Sequence, residues 1–431
     1  MIENSVHYLH EGERPAIDKS VAMYDSLIIP AHFVAARYEN LSGFLNRLKN
    51  NHGTEYYINP QLPRYRKGDD FRKDTGDISE WNQSLLDYYD PLVKDILSEE
   101  GNIRFRDLTS QEQKKVVKQS CDFQLNFLED APEQENLSRY GIDTVELVPR
   151  AIIPWYVKMK SQADIASNQR TIKYATDYLD APIKPCLFFE KDLVKNEDFK
   201  RGLTSLVDDS DIQEVFVWIE DLDKPNTTTR EYVNTINLIQ RISNCGVEPH
   251  MFYGGYFSHL LAFFGLRGVG FGTFHQESKK EKTESSGGSG GEGLKRYYFN
   301  PVKEFLNIPE AVEMGSEFDE RTCDCHVCEI EIHEWDDLFA IGDEYQILQR
   351  HYIASRRLHS EKILNTGLDQ LLDEIEESDN RYREPLNESD TAANANHLRK
   401  WRLSINHYIS ESDINSNRLS EGLLEIGKTG N

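Results

Sequence analysis

The chain has 431 residues, a formal charge of −25, and hydrophobic and aromatic fractions of 38% and 11%. That apolar content excludes global disorder, and the length suits one large barrel-type domain with appendages or a few ordinary domains. The acidic balance leaves no broad basic face for nucleic acid. It fits either a surface adapted to a salt-rich cytoplasm, or nucleic-acid contacts that are local or supplied by a partner.

The first residues, MIENSVHYLHEGERP, lack a basic start followed by an apolar stretch, so no signal peptide is expected. No window reaches ~18 uninterrupted apolar residues, which predicts no transmembrane helix and no membrane partner. Cys121, Cys186 and Cys245 are scattered among apolar neighbours, whereas Cys323, Cys325 and Cys328 cluster. This usage predicts buried thiols plus a metal site in a reducing, cytoplasmic setting, and not a disulfide framework.

In chain order, the apolar runs predict strands at Ser26–Val34, Glu55–Asn59, Ala151–Lys158, Lys184–Glu190, Glu214–Glu220, His250–Gly254, Gly268–Thr273 and Arg296–Phe299. Most are nearly continuous in apolar character, as strands buried on both faces are. Helical periodicity lies between them, at Leu41–Leu48 and Tyr232–Ile242. Eight strands alternating with helices predict an α/β fold, a (β/α)8 TIM-type barrel over residues 1–315.

Two insertions interrupt the alternation. The stretch at about 60–149 exceeds an ordinary βα link and should hold helices near Ser79–Leu97 and Ser110–Leu128, the second opened by a capping box of Ser110 and Gln113. The stretch 277–295, charged and then rich in glycine and serine, should be a mobile loop. Residues 316–378 read as a zinc-binding segment and a long amphipathic helix or helix pair, with Gly367 as its weak point. Residues 379–431 read as a polar linker and a terminal helix near His397–Ile409.

Structural zinc takes four ligands in a tetrahedron, with thiolates at ~2.3 Å. The run Cys323-Asp324-Cys325-His326-Val327-Cys328 turns three sulfurs inward on one tight loop. His351, beside Ile347 and Leu348 on the proposed long helix, is the favoured fourth ligand, with His359 and His333 as rivals. His326 lies inside the loop and is a poor candidate. Four protein ligands close the site, so this Zn2+ would be structural.

RYYFNPVKEFL, then CDCHVC, then LQRHYIASRR follow one another in the last part of the barrel and beyond. This order resembles the tRNA-guanine transglycosylase superfamily, including its branch that inserts deazaguanines into DNA. The likeness is best over about residues 245–365. It implies a (β/α)8 barrel whose zinc insert is held by Cys323, Cys325, Cys328 and His351. It also implies base exchange in tRNA or DNA, with one aspartate attacking the sugar carbon and a second handling protons. Gly270 stands where the family has its nucleophile, and Asn59, in Ile58-Asn59-Pro60, stands nearest the second aspartate.

Other residues offer substitutes. Glu220, Asp221 and Asp223 follow a predicted strand and would point into a barrel mouth as catalytic carboxylates; their plainer role is to cap the next helix with Thr227–Thr229. Glu190 and Asp192 are similar. Gly254, Gly255 and Tyr256, with Tyr253 and Phe257, would let a planar base approach and stack, or simply form a tight turn. Gly268–Gly272 lacks the lysine-serine ending of a phosphate loop, and His275 and Glu277 follow it on the loop. Two functions are therefore expected: a base-exchanging transglycosylase with a non-standard carboxylate set, or a barrel without catalysis that binds nucleic acid, a protein partner or a second copy of itself in a modification or defence system.

Overall fold

The computed structural model describes residues 1–60, 77–98, 105–128, 147–273, 277–279, 295–341, 344–388, 395–412, Leu419 and Leu423. Seven strands form one parallel sheet: β1 (Glu3–His7), β2 (Ser26–Pro30), β3 (Glu55–Asn59), β4 (Cys186–Glu190), β5 (Glu214–Glu220), β6 (Glu248–Met251) and β7 (Gly268–Gly272). Their order is β3-β2-β1-β7-β6-β5-β4. Parallel neighbours need crossover connections. The helices Ala31–His52, Glu197–Asp208 and Thr229–Asn244 provide them between β2 and β3, β4 and β5, and β5 and β6.

Both faces of the sheet are buried. Leu27, Ile29, Leu187, Phe189, Val215, Val217 and Ile219 face the helices within the main core. The alternate residues Ile28, Tyr57, Phe188, Phe216 and Trp218 form a second cluster on the concave face, joined by Ile153, Tyr156 and Phe252. This is the period of two expected of strands.

Three predicted strands need correction. The predicted third strand, Ala151–Lys158, is an extended segment touching its neighbours through isolated bridges, Ile152 to Ile183 and Met159 to Phe189. Pro154 within it can donate no ladder bond. The segment nonetheless spans the two sheet edges, since Arg150 N donates to Tyr56 O at 2.9 Å and Met159 N to Phe188 O at 2.7 Å. The predicted eighth strand, Arg296–Phe299, lies outside the large sheet. It is β8 of an antiparallel pair with β9 (Glu304–Asn307). Ser26–Val34 divides at Pro30, after which the chain is helical. The central strand β1 had not been predicted at all.

β1 is fully buried although Glu3, Asn4, Ser5 and His7 are polar. Its first residue belongs to a buried ion network at the N-terminal edge of the sheet. Glu3 pairs with Arg150 at 2.9 Å, and Lys184 pairs with Glu214 at 2.7 Å. Ser26 Oγ and Tyr57 OH donate to Glu3 Oε1. Burial opposes ionisation of Glu3, but the charges of Lys184 and Arg150, with the hydrogen bond from Ser26, prevail and hold its carboxyl at about 2. His250 is close to Glu3 and Glu214, at 3.6 and 3.4 Å. Because Lys184 and Arg150 already serve these carboxylates, burial wins at His250 and lowers its pKa to about 3. Glu3, Glu214 and His250 are close enough to one another to suggest a metal site, but the Lys184 ammonium fills the cation position.

In the insertion, the helix region near Ser79–Leu97 is two helices, Glu80–Tyr88 and Pro91–Ser98, broken before Pro91. The next helix, Ser110–Asn126, is opened by Thr109 with Glu112, one residue earlier than the expected capping box. The long C-terminal helix is a pair, Tyr345–Asn365 and Leu368–Glu388, separated at Thr366 and Gly367. The second runs into the stretch expected to be linker. The last helix, Asn396–Glu411, packs on Thr229–Asn244: Ser404 Oγ donates to Thr229 O at 3.0 Å and Lys400 Nζ to Pro225 O at 3.0 Å. Trp401 is buried on its inner face. Among the described residues no helix is long and apolar enough to cross a membrane.

Candidate metal centre and the sheet-edge site

The β8–β9 hairpin, the cysteine loop and the Tyr345–Asn365 helix build the candidate metal centre together. Cys323, Cys325, Cys328 and His351 bring one ligand atom each to within 4.8 Å of the others. His351 Nδ1 is 3.4 Å from Cys325 Sγ and 3.1 Å from Cys328 Sγ. Tetrahedral bonds of about 2.0–2.3 Å place ligand atoms about 3.6–3.8 Å apart, so these four donors suit a metal such as zinc with small adjustments.

The surrounding groups orient the ligands. His351 Nε2 lies 2.8 Å from Tyr298 O, which fixes Nδ1 as the nitrogen facing the sulfurs. The Tyr297 ring stacks on His351 at 4.2 Å. Asn300 Nδ2 donates to Cys323 Sγ at 2.8 Å, and Cys328 N donates to Cys325 Sγ at 3.4 Å. His359 is engaged elsewhere, with Nε2 at 2.9 Å from Asn300 Oδ1. His333 sits just before the Asp337–Ile341 helix, and its backbone N donates to Asp337 Oδ2 at 2.8 Å. Of the candidate histidines, His351 is the one the fold brings to the sulfurs.

A parallel sheet gathers all its C-terminal strand ends on one edge, where function concentrates in such folds. Here Glu190 and Glu220 are register partners, as are Pro30 with Asn59 and His7 with Gly272. Lys158 links the carboxylates: its Nζ is 2.7 Å from Glu190 Oε1 and pairs with Glu220 Oε2. Lys158 and Glu220 are buried, while Glu190 is half exposed. Tyr156 OH donates to Asn59 Oδ1 at 3.0 Å. Phe188 and Trp218 stack at 3.9 Å beneath this group.

Of the three predicted catalytic carboxylates, only Glu220 joins that cluster. Asp223 holds the loop after β5, accepting from Asn226 N at 2.8 Å and Asn226 Nδ2 at 2.9 Å. Asp221 takes the left-handed turn at the end of β5, with φ 61°. The helix cap itself is Thr228 with Glu231. Lys158 had been overlooked because it reads as the tail of an apolar strand.

A Cβ on Gly270 would lie 2.3 Å from Phe252 O and 3.2 Å from His7 Nε2. His7 fills the space, with Nε2 at 2.6 Å from Phe252 O and its ring stacked on Tyr253 at 4.0 Å. Burial, with a smaller push from Lys279, lowers the His7 pKa to about 3 despite that carbonyl.

Gly254 and Gly255 follow β6. Gly254 N donates to Gly270 O at 2.8 Å, and a Cβ there would meet Ser258 Oγ at 2.4 Å. A pocket opens beside this turn, lined by Asp223, Lys224, Tyr253, Gly254, Gly255 and Phe257 among others. Tyr256 is not part of it. The ring is buried against His359 and Trp401, which makes it a core residue. His275 lies outside the described residues, as does most of the 277–295 loop.

No family model and no curated protein sequence matches the chain. Among solved structures, it is similar to a putative fructose-1,6-biphosphate aldolase from Coccidioides immitis, at 8% identity over 84% of this chain and 89% of that one, with a TM-score of 0.36. It is also similar to a D-psicose 3-epimerase, solved with D-tagatose, from Clostridium cellulolyticum H10. There the identity is 9% over 58% of this chain and 84% of that one, with a TM-score of 0.28.

Proposed function

We propose that the chain is a zinc-stabilised barrel of the tRNA-guanine transglycosylase type that recognises guanine or a 7-deazaguanine in tRNA or DNA without exchanging it, and leaves the chemistry to a partner. The barrel reading rests on seven parallel strands in cyclic sequence order, with the segment after Arg150 bonded to both edge strands. The closed Cys3His donor set supports a structural role for zinc.

The observation that carries the loss of exchange is the packing at Gly270. There is no side chain to attack a sugar carbon, and no room for one between Phe252 O and His7. Asn59 is an amide that accepts from Tyr156 and supplies no carboxylate for proton transfer. Recognition is supported by the Gly254–Gly255 turn beside a pocket with Tyr253 and Phe257 on its wall.

Incubating the zinc-loaded chain with labelled guanine and either tRNA or DNA tests this reading. The expected result is measurable binding with no label incorporated. Incorporation by the purified chain alone would overturn it.

A second reading is favoured by the Lys158–Glu190–Glu220 cluster, which places two carboxylates and an amine at the strand ends. Under it, Glu220 is the working carboxylate, and Glu220→Gln would abolish any turnover that the assay detects.

A further inference from the structure

We infer that Lys224, Tyr352 and Arg356 form a seat for a phosphate oxyanion, which the chain fills with its own Glu277. Three donors converge on the Glu277 carboxylate. Lys224 Nζ is 2.7 Å from Oε2, Tyr352 OH donates to Oε1 at 3.1 Å, and Arg356 Nη2 pairs with Oε1. The backbone is shaped around the same group: a Cβ on Gly255 would lie 2.7 Å from Glu277 Oε2. The donors come from two separate elements, Lys224 from the loop after β5 and Tyr352 and Arg356 from the Tyr345–Asn365 helix, and the turn after β6 packs its Gly255 against the carboxylate.

The seat is cationic once Glu277 is set aside. Lys224 keeps Glu304 at 3.4 Å and the Lys303 carbonyl at 2.6 Å. Arg356 is fully buried, has no other acidic partner among the described residues, and leaves Nε and Nη1 without hydrogen bonds. Its guanidinium lies over the Tyr298 and Tyr352 rings at 4.8 and 4.5 Å, which holds the plane in place. A carboxylate answers one edge of such a fork, whereas a phosphate has additional oxygens for the remaining donors.

Access is built in as well. Lys224, Gly255, Glu277 and Glu304 all line the pocket beside the glycine turn, so an anion from solvent reaches the seat through it. Glu277 stands outside the strands and helices, and the polar residues after it meet the sheet through Lys279 O, which accepts from Trp218 Nε1 at 3.1 Å. The Glu277 carboxylate is the exchangeable partner, and the helix and turn are the fixed ones.

The inference does not depend on whether the chain exchanges bases. The test uses Glu277→Gln, which keeps the shape and removes the charge. Inorganic phosphate binding, followed by 31P NMR and calorimetry on the zinc-loaded chain, is expected to tighten at least about tenfold in this variant. The gain should vanish in E277Q/K224Q and shrink in the milder E277Q/Y352F. A short single-stranded oligonucleotide that displaces the phosphate would identify a nucleic-acid backbone as its source, and lack of displacement would point to a small phosphate ester. Unchanged phosphate affinity in E277Q overturns the inference. So does a gain that survives both double variants, or failure of E277Q to fold, which would make Glu277 a structural counter-ion.

Discussion

At the metal centre each ligand can be tested alone. Cys325→Ser should reduce bound zinc from about one ion per chain to almost none, since structural sites need all four ligands. His351→Ala should do the same, whereas His359→Ala should retain the metal, because His359 bonds Asn300 and not the sulfurs. Zinc content by elemental analysis, read beside the melting temperature, decides between them. Gly270 allows a second test. Gly270→Asp forces a side chain against Phe252 O and His7. It should cost about 1–3 kcal/mol or more in urea unfolding, with no gain of guanine exchange. The cysteine cluster was legible in the sequence because metal chemistry needs those residue types at short spacing, and the fold brings its three sulfurs together with His351. His7 was not legible, since nothing local marks a histidine whose partners, Phe252 and Tyr253, lie far along the chain.

Strands β2, β4, β5 and β7 were legible as apolar runs, because burial on both faces leaves little room for polar residues. β1 escaped for the opposite reason. Its ENSVH sequence is polar because Glu3, Ser5 and His7 satisfy buried partners inside the fold. Pairing with β2 and β7, and not composition, makes it a strand. Arg296–Phe299 misled in the other direction. Its aromatic residues pack around the metal centre, with Tyr297 on His351 and Tyr298 against Tyr352. The terminal helix was legible, but its attachment was not. Trp401 reaches Tyr256 and Phe257 from Asn396–Glu411, with His397 of the same helix packed on its ring. Trp401→Ala should therefore cost about 3–5 kcal/mol, measured as a shift of the urea midpoint.

The whole molecule carries an excess of acid and a set of neutral buried histidines, and both should appear in its stability. Burial lowers His7, His250 and His259 from 6.5 to about 3. Between those values the unfolded chain binds protons that the folded chain refuses, so stability is full above about pH 6.5 and falls as the pH drops. Each histidine contributes up to about 1.4 kcal/mol per pH unit. Glu3, depressed to about 2, adds a loss of the same sign below 4.5. Urea midpoints should therefore fall steadily from pH 7 to pH 5, and a flat profile would refute neutral histidines in the core. The charge of −25 predicts a separate response: the melting temperature should rise between about 0.1 and 1 M KCl as self-repulsion is screened.

The place of β1 in the sheet also sets a timetable. β1 sits between β2 and β7, and contacts nearby such as Thr273 with Glu13 join positions 260 residues apart. At about 5–20 residues per second, a ribosome needs roughly 15–50 s to deliver that partner. During that interval a strand carrying Glu3, Asn4, Ser5 and His7 has one finished neighbour at most. Its polarity then becomes an asset, because a nascent edge of this composition stays hydrated where an apolar one would seek other chains.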